Sequence, residues 1–291
     1  VFSPLQSLSR RSFLKRAALW GGSFLASGGA AGSYAAYVEP RWIETIEQRV
    51  QLRGLPQAFA GKRIVHISDI HLGFHMTLRE LQAIAGRVQR LQPDMLVFTG
   101  DLFDSWISED PQATAADLAA LEAPLGKWAV LGNHDTYAGL EDTKRILQAG
   151  GFTVLDNAHA LVRLGADTLV VAGVADMWTG YPDLQRALDG ADPQLCTLLL
   201  SHCANFADEA AARPEIALQL SGHSHGGQIR LPLLGAVETP PYGDKYVSGL
   251  HTAANSQLLV YTTRGLGMTL LPFRFLCRPE ITVLTLDSKQ A

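Results

Sequence analysis

Apolar positions along the chain change their period several times, and each change marks an element. Residues 63–68 alternate apolar and polar, the pattern of a half-buried strand. Leu78, Leu81, Ile84, Ala85, Val88 and Leu91 then fall at helical spacing within residues 76–91, with Thr77 as N-cap and Glu80 as its capping-box partner. Residues 95–98 and 127–131 are short continuous apolar runs and read as buried strands. Helices follow them at 113–121 and 140–149, the second stopped by Gly150-Gly151. An alternating stretch at 44–50 reads as an edge strand. The order β-α-β-α-β-α predicts a sheet covered by helices. The second half is richer in strands, at 152–155, 160–164, 168–172, 196–200, 216–220, 228–231, 258–262 and 280–286, with helices at 182–188 and 205–212. No break in composition divides the chain, so one α/β domain with two packed sheets is expected, its apolar content ample for a large core.

The chemistry-bearing residues sit where these strands end, which is where open α/β sheets place their sites. Five clusters do so: Asp69-x-His71, Gly100-Asp101-x-x-Asp104, Gly132-Asn133-His134-Asp135, His202, and Gly222-His223-x-His225. Singly, each has a plain reading as a turn or a buried histidine. In this order, all at strand ends, they read as one site. Asp69, His71, Asp101, Asn133, His202, His223 and His225 are seven candidate metal ligands. They are hard oxygens and imidazoles without a thiolate, a set that suits Mn²⁺, Fe, Zn²⁺ or Ni²⁺ better than Cu(I), Mg²⁺ or Ca²⁺. Seven are too many for one tetrahedral ion and suit two that share a carboxylate, a common device for hydrolysing phosphate esters.

Charge and cysteines narrow the picture. The formal net charge is −4, with no basic face to suggest nucleic-acid binding. Cys196, Cys203 and Cys277 lack CxxC spacing, and so odd and sparse a count argues against a disulfide framework or a thiolate zinc site.

At the N-terminus, Ser9-Arg10-Arg11-Ser12-Phe13-Leu14-Lys15 resembles a twin-arginine export signal. Residues 17–38 carry no charge and are rich in Gly, Ala and Ser, as such a leader needs. Residues 1–38 are therefore expected to be the signal, either cut off or kept as an anchor. Residues 39–61 are a lead-in and 62–291 the catalytic domain, exported by the twin-arginine machinery to the periplasm or the outer face of the cytoplasmic membrane.

The ordered set DxH, GDxxD, GNHD, H and GHxH resembles the calcineurin-like metallophosphoesterases, over residues 63–231. Ser221-Gly222-His223-Ser224-His225-Gly226-Gly227-Gln228 and Arg264-Gly265-Leu266-Gly267 are similar to the branch of exported or membrane-anchored bacterial phosphodiesterases. The resemblance implies a four-layer αββα sandwich of two mixed sheets. It also implies two divalent ions, manganese favoured. Asp69, His71 and His225 would hold one, Asn133, His202 and His223 the other, and Asp101 would bridge. A metal-bridging hydroxide would attack phosphorus in line, with His134 at the scissile phosphate and Asp135 steadying its imidazole. Asp104 would orient a ligand, and His75 is a candidate for substrate contact.

Phosphodiester or pyrophosphate substrates are expected. Ser105 stands where the family's protein phosphatases carry Arg, and Asp135 where they carry Glu. A nucleotidase is disfavoured because no second C-terminal domain is evident in the sequence. The apolar stretch 266–276 could line a groove for a lipid-linked pyrophosphate or touch a membrane, with Arg264 or Arg274 meeting phosphate, or could simply pack on the sandwich edge. A non-catalytic scaffold is the competing class; such a chain would usually have lost ligands, and all seven are present.

Overall fold

Glu80 donates its N–H to the Thr77 hydroxyl, and its carboxylate accepts the Thr77 N–H at 2.9 Å, so the first helix of the sandwich, α1 (Leu78–Arg90), begins where the sequence places it. The computed structural model describes residues 28–289 and the single position Arg11; the rest of the leader motif at 9–15 lies outside the described residues. One sheet runs in the order β1 (Glu44–Leu52), β14 (Glu280–Ser288), β2 (Arg63–Ile67), β3 (Met95–Phe98), β4 (Lys127–Ala129), β5 (Thr153–Val154). The other runs β12 (Gly249–Thr252), β13 (Leu259–Thr262), β9 (Ile216–Ser221), β8 (Thr197–Leu200), β7 (Asp167–Gly173), β6 (Ala158–Leu164). Both are mixed: β14 is antiparallel to β2, and β6 to β7, around parallel blocks.

Three apolar layers hold these sheets in a four-layer stack. Ile67 and Phe98 on one face of the first sheet meet Leu81 and Val88 of α1, Leu118 of α2 (Pro111–Ala119) and Leu147 of α3 (Asn133–Ala149). Ile64, Val97 and Leu284 on its other face meet Val171, Leu198 and Leu218 of the second sheet. The second sheet's outer face packs Ala172, Leu199 and Val260 against Leu184 of α4 (Leu184–Ala187), Ala207 of α5 (Ala207–Ala210) and Phe206 beside it. Strands buried on both faces explain the unbroken apolar runs of β3 and β8.

Some boundaries differ from the periodicity. Asp110 caps α2 with Pro111 in the first turn, two residues before the apolar pattern starts. α3 begins at Asn133, because the Asp135 carboxylate accepts the Gly132 N–H and caps it there. Gly139, at φ 118°, interrupts this helix, so only the part after it shows helical periodicity in sequence. The strand expected at 228–231 is cut to the two residues of β10 (Arg230–Leu231), while its partner β11 (Gly235–Ala236) and the part-exposed edge strand β12 show no apolar alternation and escape the sequence reading.

Candidate metal centre

Strands β2, β3 and β4 lie parallel and adjacent, as do β8 and β9, so five strand ends point to one edge. The loops leaving them carry Asp69 and His71, Asp101 and Asp104, Asn133 to Asp135, His202, and His223 with His225. Gly222 lets the loops of the two sheets meet, since a Cβ there would collide with Ser68 Oγ and Asp69 Oδ2. Across that join the His223 N–H donates to Asp69 Oδ1 at 3.0 Å. Gly132 plays the same part within the first sheet, where a Cβ would strike Asp101 Oδ1.

Three overlapping groups result. Asp69, His71 and His225 bring ligand atoms within 4.8 Å of one another, as do His71, Asp101 and His134, and Asp101, His202 and His223. His71 Nε2 lies 3.0 Å from His225 Nε2 and 3.6 Å from Asp101 Oδ2. His202 Nε2 lies 3.2 Å from Asp101 Oδ2 and 3.1 Å from His223 Nδ1.

The partners of the outer ring nitrogens assign the tautomers. His202 Nδ1–H donates to the Thr99 carbonyl at 2.6 Å, His223 Nε2–H to the Pro241 carbonyl at 2.9 Å, and His71 Nδ1–H to Asp104 Oδ1 at 3.2 Å. Each ring therefore turns a lone pair inward, toward a carboxylate or another lone pair. Buried Asn133 Oδ1, with no hydrogen-bond partner, adds a further free acceptor. Inward lone pairs, carboxylates and an orphaned amide oxygen fit divalent cations and little else. Five of these residues hold the left-handed backbone region: Asp69 at φ 52°, His71 at 50°, Asp101 at 62°, His223 at 67° and His225 at 51°.

Charge within the cluster is strongly perturbed. Burial pushes the Asp101 carboxyl up, but His202, His71 and His134 around it outweigh burial and hold it well below the usual carboxylate range. Burial, and then the charge of His202, press His223 down to about 4. Burial lowers His225 as well, with His71 and Arg274 adding to it. Burial opposes protonation of His202, yet Asp101, Asp69 and Asp176 raise it.

His134 sits at the mouth, half-buried, with Nδ1 2.6 Å from the Asp104 carbonyl and its ring edge-on to His71. Asp135 does not reach the His134 ring, contrary to the expectation from sequence. Its Oδ2 accepts the N–H groups of Asp101 at 2.8 Å and Gly132 at 2.9 Å, and its Oδ1 accepts that of Leu102 at 2.8 Å. The carboxylate is consumed in joining two site loops, and the Asp104 carbonyl takes the place behind the imidazole. Nor are the two arginines free for phosphate. Arg264 pairs with Glu280, and with Glu44 at 2.9 Å, while Arg274 is fully buried and donates to the carbonyls of Gly267, Arg264 and Cys277. His75 is exposed and stacks edge-on to Phe74, with no hydrogen bond to a ligand residue among the described residues.

Two neighbours escape the sequence reading. Trp178 lies edge-on to His223 at 5.7 Å and Tyr137 edge-on to His134 at 5.4 Å, both half exposed. Hydroxyls of the adjoining Thr136 and Thr179 bond at 3.0 Å and tie their two segments together. The available signal was that β7 ends on the same edge as β8 and β9.

Over residues 62–227 the sequence matches the family described as calcineurin-like phosphoesterase. The chain belongs to that family. It is 40% identical over 289 residues to the uncharacterized metallophosphoesterase YkuE of Bacillus subtilis, covering 98% of this chain and 99% of the relative. It is 32% identical to the phosphodiesterase YaeI of Escherichia coli, over 96% of this chain and 99% of the relative. It is 29% identical to the UDP-2,3-diacylglucosamine pyrophosphatase LpxG of Chlamydia trachomatis, over 86% and 91%. This calcineurin-like phosphoesterase is thus a hydrolase acting on ester bonds, with two mixed sheets and residue groups able to hold divalent metal at their ends.

Proposed function

We propose that the protein is a two-metal phosphohydrolase cleaving phosphodiester or pyrophosphate bonds. The observation that carries this reading is the overlap of the three ligand groups, in which His71 and Asp101 each belong to two. Asp69, His71 and His225 would hold one divalent ion and Asn133, His202 and His223 the other, with Asp101 shared between them. When bound, the ions supply Lewis-acid charge and a water acidic enough to attack phosphorus near neutral pH. The chain's own part is positional and protonic. Asp104 orients His71 from behind, and the carbonyls of Thr99 and Pro241 orient His202 and His223. His134 keeps its Nδ1 proton and donates it in a hydrogen bond to the Asp104 carbonyl, which leaves Nε2 to meet the leaving oxygen and, when protonated, to give that oxygen its proton. Trp178 and Tyr137 face the substituents on the phosphate.

A lipid-linked pyrophosphate is the second reading. It is favoured by the likeness to LpxG and by exposed apolar side chains, Leu270 and Leu271, in the stretch after the site. The twin-arginine-like motif at 9–15 and the uncharged run behind it support export, with the site working outside the cytoplasm. Among the described residues no helix is long and apolar enough to cross a membrane.

The test is turnover of bis(p-nitrophenyl) phosphate with Mn²⁺ supplied. Metal-dependent hydrolysis that His134→Ala greatly reduces is the expected result. Asp101→Ala is expected to lose both ions by metal analysis. No metal-dependent turnover, or two ions retained in Asp101→Ala, would refute the reading.

A further inference from the structure

Among the described residues, the largest concentration of exposed aliphatic side chains stands on two projecting stretches with a common root. Leu231, Leu233, Leu234 and Val237 lie on and beside the β10–β11 hairpin, and Leu270 and Leu271 on the segment that follows the site. Leu233 is fully exposed, Leu234 is 79% exposed and Leu270 87%. Main-chain bonds and the Gln228 side chain weld the stretches together. Arg230 N–H donates to the Phe275 carbonyl at 2.8 Å, Phe275 N–H to the Gln228 carbonyl at 3.1 Å, and the Gln228 amide to the carbonyls of Thr269 and Leu271 at 3.0 Å each. Neither 231–237 nor 266–273 contains a charged residue.

Two further observations say what covers this surface. Leu233 and Leu270 hold left-handed backbone, at φ 67° and 60°, where a γ-branched apolar residue is unusual and glycine or asparagine would sit without strain. A chain that spends both backbone strain and apolar exposure at two tips has a use for leucine there. The described end of the uncharged run 17–38 also joins the body at the same root: Arg274 N–H donates to the Ala35 carbonyl at 3.0 Å, and Leu276 N–H to the carboxylate of Glu39, which follows the run, at 3.0 Å. Exposed Tyr37 and Val38 extend the patch there.

We infer that the hairpin and the 268–276 segment insert their leucines into a lipid bilayer surface and seat the metal centre at the membrane–water interface. Uncharged aliphatic loops beside an uncharged chain segment suit the acyl boundary, as interfacial anchors do. The root makes the seating rigid, since Arg230 donates to the Gly226 carbonyl at 2.7 Å and Arg274 packs against His225, one of the ligand residues. This surface goes beyond the hydrolytic reading and does not depend on which ester is cleaved.

The test uses the full chain carrying Leu234→Cys, labelled with an environment-sensitive NBD fluorophore; the three native cysteines are buried. Gln194→Cys, exposed before β8 at the strand end away from the site, is the control. On phosphatidylethanolamine–phosphatidylglycerol vesicles, label at 234 should shift blue and brighten several-fold. Nitroxides in the acyl chains should quench it, and label at 194 should do neither. A 234 signal that stays aqueous while the protein floats with the vesicles means attachment by the N-terminal segment alone and overturns the proposal. So does failure to bind vesicles. A rise without vesicles that grows with protein concentration assigns the patch to a second copy and also overturns it. The double variant Leu233→Ser, Leu234→Ser should keep its turnover of soluble diester while its vesicle-bound fraction falls several-fold. Absent turnover in both forms would count against the hydrolase reading and leave the labelling result standing.

Discussion

Asp135 separates two accounts of the same residue, and its removal has a magnitude that can be worked out. Its carboxylate is fully buried and accepts three main-chain N–H groups, from Asp101, Leu102 and Gly132. In Asp135→Ala all three donors lose their partner. Each unsatisfied buried group costs about 1–3 kcal/mol, so the loss is about 3–9 kcal/mol against a typical stability of about 5–15. Asp135→Asn is the sharper variant. Its carbonyl oxygen can replace Oδ2 and keep the Asp101 and Gly132 bonds, while its amide nitrogen then faces the Leu102 N–H. Burial, and then the nearby Asp101 charge, raise the Asp135 carboxyl to about 7, so the comparison belongs at about pH 4, where the folded carboxyl and the amide are both neutral and charge contributes little. One bond is lost, at about 1–3 kcal/mol. Urea unfolding in the presence of chelator, so that bound metal adds nothing, should show Asp135→Asn lower by that amount and Asp135→Ala lower still or unfolded. If Asp135 instead steadied His134, stability would hardly change and the pH profile of turnover would shift. Wild-type unfolding midpoints for both variants would refute the loop-joining role.

His66 is fully buried, and burial depresses it to about 3. The unfolded chain takes up its proton below about 6.5 and the folded chain does not. Stability should therefore be complete above that pH and fall by up to about 1.4 kcal/mol per unit as pH drops toward 3. His66→Asn, still able to bond Thr99, should flatten the urea-derived slope between pH 6 and 4.5 by about 2 kcal/mol in total; an unchanged slope would count against the neutral buried imidazole. Arg264→Ala should cost about 3 kcal/mol by leaving buried Glu280 unpaired, with KM for a soluble diester unchanged; a raised KM at full stability would restore a phosphate-binding role. Gly132→Ala should lose bound metal in metal analysis, because its methyl would displace Asp101 Oδ1; full metal content would contradict the close approach.

How far the sequence could be read follows from what carried each signal. The strands behind the site were legible because Met95–Phe98 and Thr197–Leu200 are buried on both faces and appear as unbroken apolar runs. The polar clusters stood out against those runs. What backs the ligands was not legible, because the partners are main-chain atoms. The carbonyls of Thr99 and Pro241 set the tautomers of His202 and His223, and a carbonyl has no residue type to recognise. Asp135 misled for the same reason: adjacency to His134 suggested a side-chain partner, while its actual partners are three N–H groups of its own and a neighbouring loop. Arg264 misled because its partner Glu44 lies far along the chain, and Arg274 because its partners are main-chain carbonyls, which no residue type announces. Elements too short or too polar for any period, such as β11 and β12, left no trace.

The backbone of the ligand loops joins these observations. Five of the seven candidate ligand residues occupy the left-handed region, and all five are Asp or His. Among non-glycine residues, Asp, Asn and His enter that region most readily. The residue types that coordination requires are thus also those that tolerate the turn aiming them inward. Chain reversal directly after a strand needs that turn, and five strands ending on one edge need it repeatedly. Glycine would tolerate it better but brings no donor atom, so it is confined to adjoining positions such as Gly100, Gly132 and Gly222, where close approach excludes a Cβ. The alternation of glycine with Asp, Asn and His in GD, GNHD and GHxH is therefore a backbone pattern as much as a chemical one. It leaves little room for substitution even by residues that could still bind a cation.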